Sequence, residues 1–150
     1  MVPEGQQKHL GMIQEVVKRL AGNSFAYKGW AITIVAALFA LGAKEANAAY
    51  IGVGLLPALA FWGLDAYYLR QERLFRALYD GVRKMEAAVW EADPFTMNTS
   101  PYVPEVKSWL DTVFSKTIAG LYVPLVVVVF VVATIAWIAQ MLAATPCWYR

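Results

Sequence analysis

One cysteine and one histidine in 150 residues leave thiol and metal chemistry almost nothing to use. Cys147 has no partner for an intramolecular disulfide, so it is either an inert thiol or a link between subunits. His9 has no cysteine near it, and no His/Glu pair stands at metal-ligand spacing. A glycine-rich phosphate loop is missing, as is a serine or cysteine in a recognisable nucleophile elbow. Repeats and low-complexity tails are lacking as well. A chain this short has no room for a soluble catalytic domain beside long apolar runs, so the expectation is a non-enzyme without cofactors.

Apolar residues are what the chain has in quantity. They make up 59% of it, with a mean hydropathy of +0.47, well above globular averages. Three runs carry them, at residues 30–43, 46–64 and 118–142. About 20 helical residues cross a hydrocarbon core of about 30 Å. The third run is long enough alone and the second nearly so. The first gains length backwards through Phe25, Ala26 and Tyr27, with Lys28 reaching to the interface. Lys44-Glu45 separates the first two, which predicts a helical hairpin. The first run also has the length of a signal-peptide core, and Ala46-Asn47-Ala48 has the form of a cleavage site. The long, patterned segment before it favours a retained span instead.

The cations are sorted between these runs. With the N-terminus inside, Lys8, Lys18, Arg19, Lys28, Arg70, Arg73, Arg76, Arg83, Lys84, Lys107 and Lys116 are cytoplasmic. Lys44 and Arg150 alone of the 13 Lys and Arg are outside. The positive-inside rule then predicts a membrane protein with its N-terminus in the cytoplasm and its C-terminus outside. Trp30, Tyr50, Tyr67, Tyr68, Trp148 and Tyr149 near the run ends fit interfacial belts.

Between the runs the pattern is helical. Leu10, Ile13, Val17 and Leu20 recur at helical spacing, with Gln7, Gln14, Glu15 and Lys18 opposite. This predicts an amphipathic helix over 1–24, ending near Gly22-Asn23, with Ser24 capping the next helix. Its apolar face lies on the bilayer or packs against other helices, and carries His9 as a buried or a gating histidine. The second run continues as a helix to Trp90. Asp65, Glu72, Arg76, Asp80 and Arg83 gather on one face, and Leu64, Tyr67, Leu74, Leu78, Val82, Met85 and Val89 on the other. Pro94, Pro101 and Pro104 break it. Pro104 then starts a helix leading through Leu110 and Phe114 into the last span, where Pro124 sits.

The predicted protein is therefore an all-α membrane protein. It has an N-terminal amphipathic helix, three transmembrane helices, and a cytosolic helical stalk formed by extensions of the second and third. Its segments are a cytosolic helix 1–24, a transmembrane hairpin 25–64, a cytosolic hairpin 65–116, a third span 117–144 and an external tail 145–150.

Two sets of residues are candidates for function. On the stalk, Arg73, Arg76, Arg83 and Lys84 would hold phosphates, because guanidinium groups donate bidentately and stay charged. Tyr79 and Phe75 between them would stack a base. The same cations also fit a solvated, salt-bridged face. In the membrane, Trp30, Thr33, Ala37 and Ala40 share one small, mildly polar face of the first span. That face lines a pore or packs a neighbouring helix. Lys28 and Asp65 would lie near its cytoplasmic mouth, Asp65 otherwise forming a structural ion pair.

The core Asn23-Ser24-Phe25-Ala26-Tyr27-Lys28-Gly29-Trp30, the segment from Leu64-Asp65 through Glu72-Arg73-Leu74-Phe75-Arg76 to Leu78-Tyr79-Asp80, and Asp93-Pro94-Phe95-Thr96-Met97 together resemble a family of small bacterial membrane proteins. Residues 8–97 are similar to the membrane effectors of antiphage defence loci, notably the Hailong type, encoded beside nucleotidyltransferase-like genes. The resemblance implies an oligomeric inner-membrane ion channel, with a tetramer as the expected assembly. A short DNA oligomer or nucleotide made by the partner enzyme would control it, and its opening would depolarise an infected cell. The rival readings are a non-conducting scaffold that docks a cytosolic partner and a holin-like lesion former.

Overall fold

The structure, a computed structural model, describes residues 3–45 and 47–144. Ala46, Cys147 and the proposed external tail 145–150 lie outside the described residues. Every regular element among the described residues is helical: α1 (Glu4–Lys44), α2 (Ala48–Val53), α3 (Leu55–Lys84), α4 (Ala87–Ala92), a 3-10 turn (Ser100–Glu105), α5 (Trp109–Val113) and α6 (Lys116–Ala144). Three stretches, Glu4–Lys44, Ala48–Lys84 and Lys116–Ala143, are long and apolar enough to cross a membrane. The chain divides into two compact units. The first joins Met1–Phe25 to Asp65–Phe114, and the second joins Ala26–Leu64 to Ser115–Arg150.

In the first unit the N-terminal half of α1 runs antiparallel to the C-terminal half of α3. Three side-chain bonds set the register. The Gln6 amide donates to the carbonyls of Val82 (2.7 Å) and Met85 (3.1 Å), and at the other end Ser24 donates its hydroxyl to Asp65. Between them Ile13, Leu78, Val82 and Trp90 form a buried cluster, with Leu10, Val17, Phe75 and Tyr79 packed on it. Gly5 and Gly81 permit close approach. A Cβ on Gly5 would stand 2.6 Å from Trp90 Cη2, and one on Gly81 2.6 Å from Tyr102 Cζ.

A clasp closes the top of this cluster. His9, fully buried, meets the Thr96 carbonyl through Nε2 at 2.9 Å, and Trp90 Nε1–H donates to its Nδ1 at 3.1 Å. Because a carbonyl only accepts, Nε2 carries the proton, and both ring nitrogens are satisfied. Phe95 sits in the left-handed region (φ 61°), a conformation costing a bulky side chain roughly 1–2 kcal/mol. The Phe95 ring lies edge-on to Trp90 at 5.4 Å and 5.7 Å from His9, and this aromatic packing opposes that cost.

In the second unit Val35, Ala58 and Val129 make the buried cluster, with Phe39, Leu55, Leu125 and Val126 around it. Trp62 stacks on Tyr122 with centroids 6.0 Å apart and planes 4° from parallel. Asn47 caps α2 by accepting the Ala49 amide. Gly42 lets the backbone approach Ile51, whose Cγ1 would stand 2.6 Å from an added Cβ. Large apolar side chains of α6, among them Phe130, Ile135, Trp137 and Leu142, face outward, as they do on a helix surrounded by lipid.

Several sequence expectations change. α1 does not stop at Gly22-Asn23 but runs unbroken to Lys44, so Ser24 is no cap and its hydroxyl serves Asp65. The helix after the second run ends at Lys84 rather than Trp90, and a turn at Gly54 interrupts its start. The chain does not return as a helical extension of the last span. Pro104 lies inside the 3-10 turn, and α5 is separated from α6, which begins at Lys116. Asp65 and Glu72 are buried, whereas Leu64 and Tyr67 are exposed, so the two faces drawn from the sequence fail over residues 64–72 and hold beyond them; Val89, exposed, lies past the end of this helix.

Candidate functional site

The antiparallel register of the first unit places one turn of α1 opposite one turn of α3. Gln14, Val17 and Lys18 occupy positions i, i+3 and i+4 on the first, and Arg76, Tyr79 and Asp80 occupy the same positions on the second. Residues so spaced project from one helix face. Together the six line an open groove of about 450 Å³.

The groove has a mixed but usable chemistry. Arg76 Nη2 meets Glu72 Oε1 at 2.6 Å, and Glu72 is largely buried beneath it. One carboxylate engages part of a guanidinium that carries five N–H donors, so the remaining donors stay with the open side. Lys18 faces it from α1. The Tyr79 ring packs one side on the Leu78 cluster and presents another to the groove. Asp80 holds Arg83 at 3.4 Å, an exposed pair, and such pairs bind weakly and exchange readily. The groove thus presents two cations, an aromatic ring, an amide and a carboxylate from one turn of each helix.

The stalk candidates separate accordingly. Arg76 and Tyr79 come together in the groove. Phe75 packs against the buried cluster. Arg73 is half-buried on α3, while Arg83 and Lys84 are exposed in its last turn. Sequence reasoning missed Lys18 and Gln14 as groove residues. Their signal was present in the polar i, i+4 pair of the first helix, but nothing local says which turn of α3 it meets.

The membrane candidates lie apart from this groove in the chain. Trp30, Thr33, Ala37 and Ala40 are all exposed on α1 within the second unit, and Lys28 is half-buried. The Thr33 hydroxyl donates to the Gly29 carbonyl at 2.9 Å, within its own helix. Asp65 belongs to the first unit, fully buried and bonded to Ser24. It therefore does not stand on an open face of the protomer, as a residue at a pore mouth would. Among the described residues no group of three His, Cys, Asp or Glu could hold a metal ion. No family model, curated protein or solved structure matches this chain.

Proposed function

We propose that the chain is the subunit of an oligomeric ion channel of the bacterial inner membrane, an antiphage effector controlled by a nucleic-acid or nucleotide ligand on its cytosolic unit. The observation that carries the reading is the groove. Lys18 and Arg76 face each other beside the Tyr79 ring, the pairing that recognises a phosphate attached to a base. Asp80 and Gln14 would accept and donate at the base edge. Three helices of membrane-spanning length give the same chain the means to conduct. Around a symmetry axis the per-chain cations would become a ring, focusing potential on a polyanion. The exposed Trp30-Thr33-Ala37-Ala40 face of α1 would meet the neighbouring subunit or line the pore, gating by dewetting because it is only mildly polar. The resemblance supplies the partner, a nucleotidyltransferase-like enzyme making the ligand, and a tetramer as the assembly. The amphipathic N-terminal half of α1 and the helical region 65–114 would be the cytosolic stalk.

Planar-bilayer recording of the purified protein, before and after nuclease, tests this directly. Discrete conductance steps that change with nuclease are expected. In the Lys18→Glu/Arg76→Glu variant that sensitivity should vanish while oligomer size by chromatography stays the same. A bilayer that is silent in both conditions, with inserted protein demonstrated, refutes conduction and favours the scaffold. Large irregular leaks favour the lesion former.

A further inference from the structure

The short helix α5 is inside-out for an element packed on a water-soluble body. Its one buried residue is polar: Thr112, whose hydroxyl donates to the Ser108 carbonyl at 2.9 Å. Leu110 and Phe114 stand two residues to either side, about 200° around the helix from Thr112, and are 61% and 69% exposed; Trp109 is 43% exposed. A helix packed in water turns the other way, apolar side in.

This outward aim is fixed. Ser108 Oγ accepts the Asp111 amide at 3.1 Å and donates to the Asp111 carboxylate at 2.6 Å, closing the first turn. Arg70 Nε donates to the Lys107 carbonyl at 3.3 Å, tying the entry to α3. After Phe114 the chain needs two residues to reach Lys116, where the most apolar of the three candidate spans begins. Two residues reach at most about 7 Å, so the chain itself keeps Phe114 within that reach of Lys116.

We propose that α5 is a membrane-surface anchor, seating Leu110, Phe114 and Trp109 in the headgroup–acyl boundary of the bilayer. Tryptophan favours that boundary, with an apolar body and a polar N–H. The charges around the helix nearly balance, Arg70, Lys107 and Lys116 against Glu105 and Asp111. The attraction is therefore mainly to the apolar boundary, with little from anionic lipid. This goes beyond conduction, and rests only on α6 crossing a bilayer.

The test uses full-length protein with Cys147→Ser, reconstituted in phosphatidylcholine vesicles. Leu110→Cys and, separately, Phe114→Cys carry an environment-sensitive fluorophore. Glu15→Cys and Val128→Cys serve as references, and nitroxide lipids quench at shallow or deep positions. The labels at 110 and 114 should emit blue-shifted and be quenched most by the shallow nitroxide, about 5–10 Å into the boundary. Val128 should answer to the deep nitroxide and Glu15 to neither. Adding phosphatidylglycerol or salt should change the quenching depth little. Water-like, unquenched emission at both 110 and 114, with Val128 still quenched, overturns the anchor and leaves the span intact. Blue-shifted emission without quenching overturns it in favour of contact with a second copy. Loss of quenching at Val128 overturns the anchor together with the membrane reading.

Discussion

Replacing His9 by alanine tests whether the clasp holds the first unit together. The change removes the acceptor of Trp90 Nε1–H and the donor to the Thr96 carbonyl, both of which His9 serves from a fully buried ring. A buried donor left unsatisfied costs about 1–3 kcal/mol. The Thr96 carbonyl is in a part-buried setting and can recover a water, so the indole dominates. The lost ring also leaves a cavity against Trp90 and Phe95, and buried large-to-alanine changes cost about 2–5 kcal/mol. Partial collapse of the exposed Phe95 ring into the gap lowers the total. We expect about 3 kcal/mol, near a hundredfold in an opening equilibrium. Amide hydrogen exchange on the detergent-solubilised protein reads this locally, because the Trp90 and Asp93 amides bond within α4 and at its end, to Glu86 and Trp90 carbonyls. Their protection should fall by about that factor, while amides of the second unit keep theirs. A double-mutant cycle with Trp90→Phe should return a coupling of about 0.5–1.5 kcal/mol. A change below about threefold at both amides would refute the assignment, showing that neither the hydrogen bonds nor the ring contacts of His9 hold the clasp.

The two helices of the first unit make opposite predictions at their glycines. Gly81→Ala forces Tyr102 aside and should cost about 1–3 kcal/mol, whereas Gly11→Ala, with open space around its Cβ, should stabilise by about 0.5–1 kcal/mol; detergent-unfolding midpoints separate the two. Ser24→Ala removes a hydroxyl donor to the buried Asp65 side chain and should lower the unfolding free energy by about 1.5–3 kcal/mol, an unchanged midpoint counting against that bond. In the second unit, Trp62→Leu should lose about 0.5–1.5 kcal/mol beyond its area from the stack on Tyr122, and a Trp62→Phe variant should keep much of it.

Hydropathy located the three stretches long and apolar enough to span, the second and third by their own length and the first only when extended backwards through Phe25. Helix ends were far less legible. Gly22-Asn23 reads as a stop, but a glycine costs a helix interior only about 1 kcal/mol. The turns on either side are fixed by Ile13 in one cluster and Val35 in the other, so the helix carries through. Ser24 looks like a cap locally; its partner Asp65 is 41 residues away, beyond any local pattern. The separate start of α5 was hidden because Ser108 and Asp111, which do form its cap, follow a proline that seemed to start the helix earlier. For the groove, Arg76 and Tyr79 were visible as a cation and a ring on one face. Lys18 was visible as a polar residue on another helix. Their meeting depends on the register that Gln6 sets by bonding to Val82 and Met85, which no periodicity encodes.

That register has a consequence for the order in which the protein is made. The bonds from Gln6 and His9 span 76 to 87 residues, so the amino-terminal helix emerges long before its partners exist. At typical synthesis rates the delay is on the order of ten seconds, during which Leu10, Ile13 and Val17 have no α3 to cover them. Both segments of the hairpin between are synthesised within that interval. A nascent chain arrested before Trp90 would have neither clasp nor closed core, and a shortened amino terminus would remove the partners that residues 82–96 arrive to find.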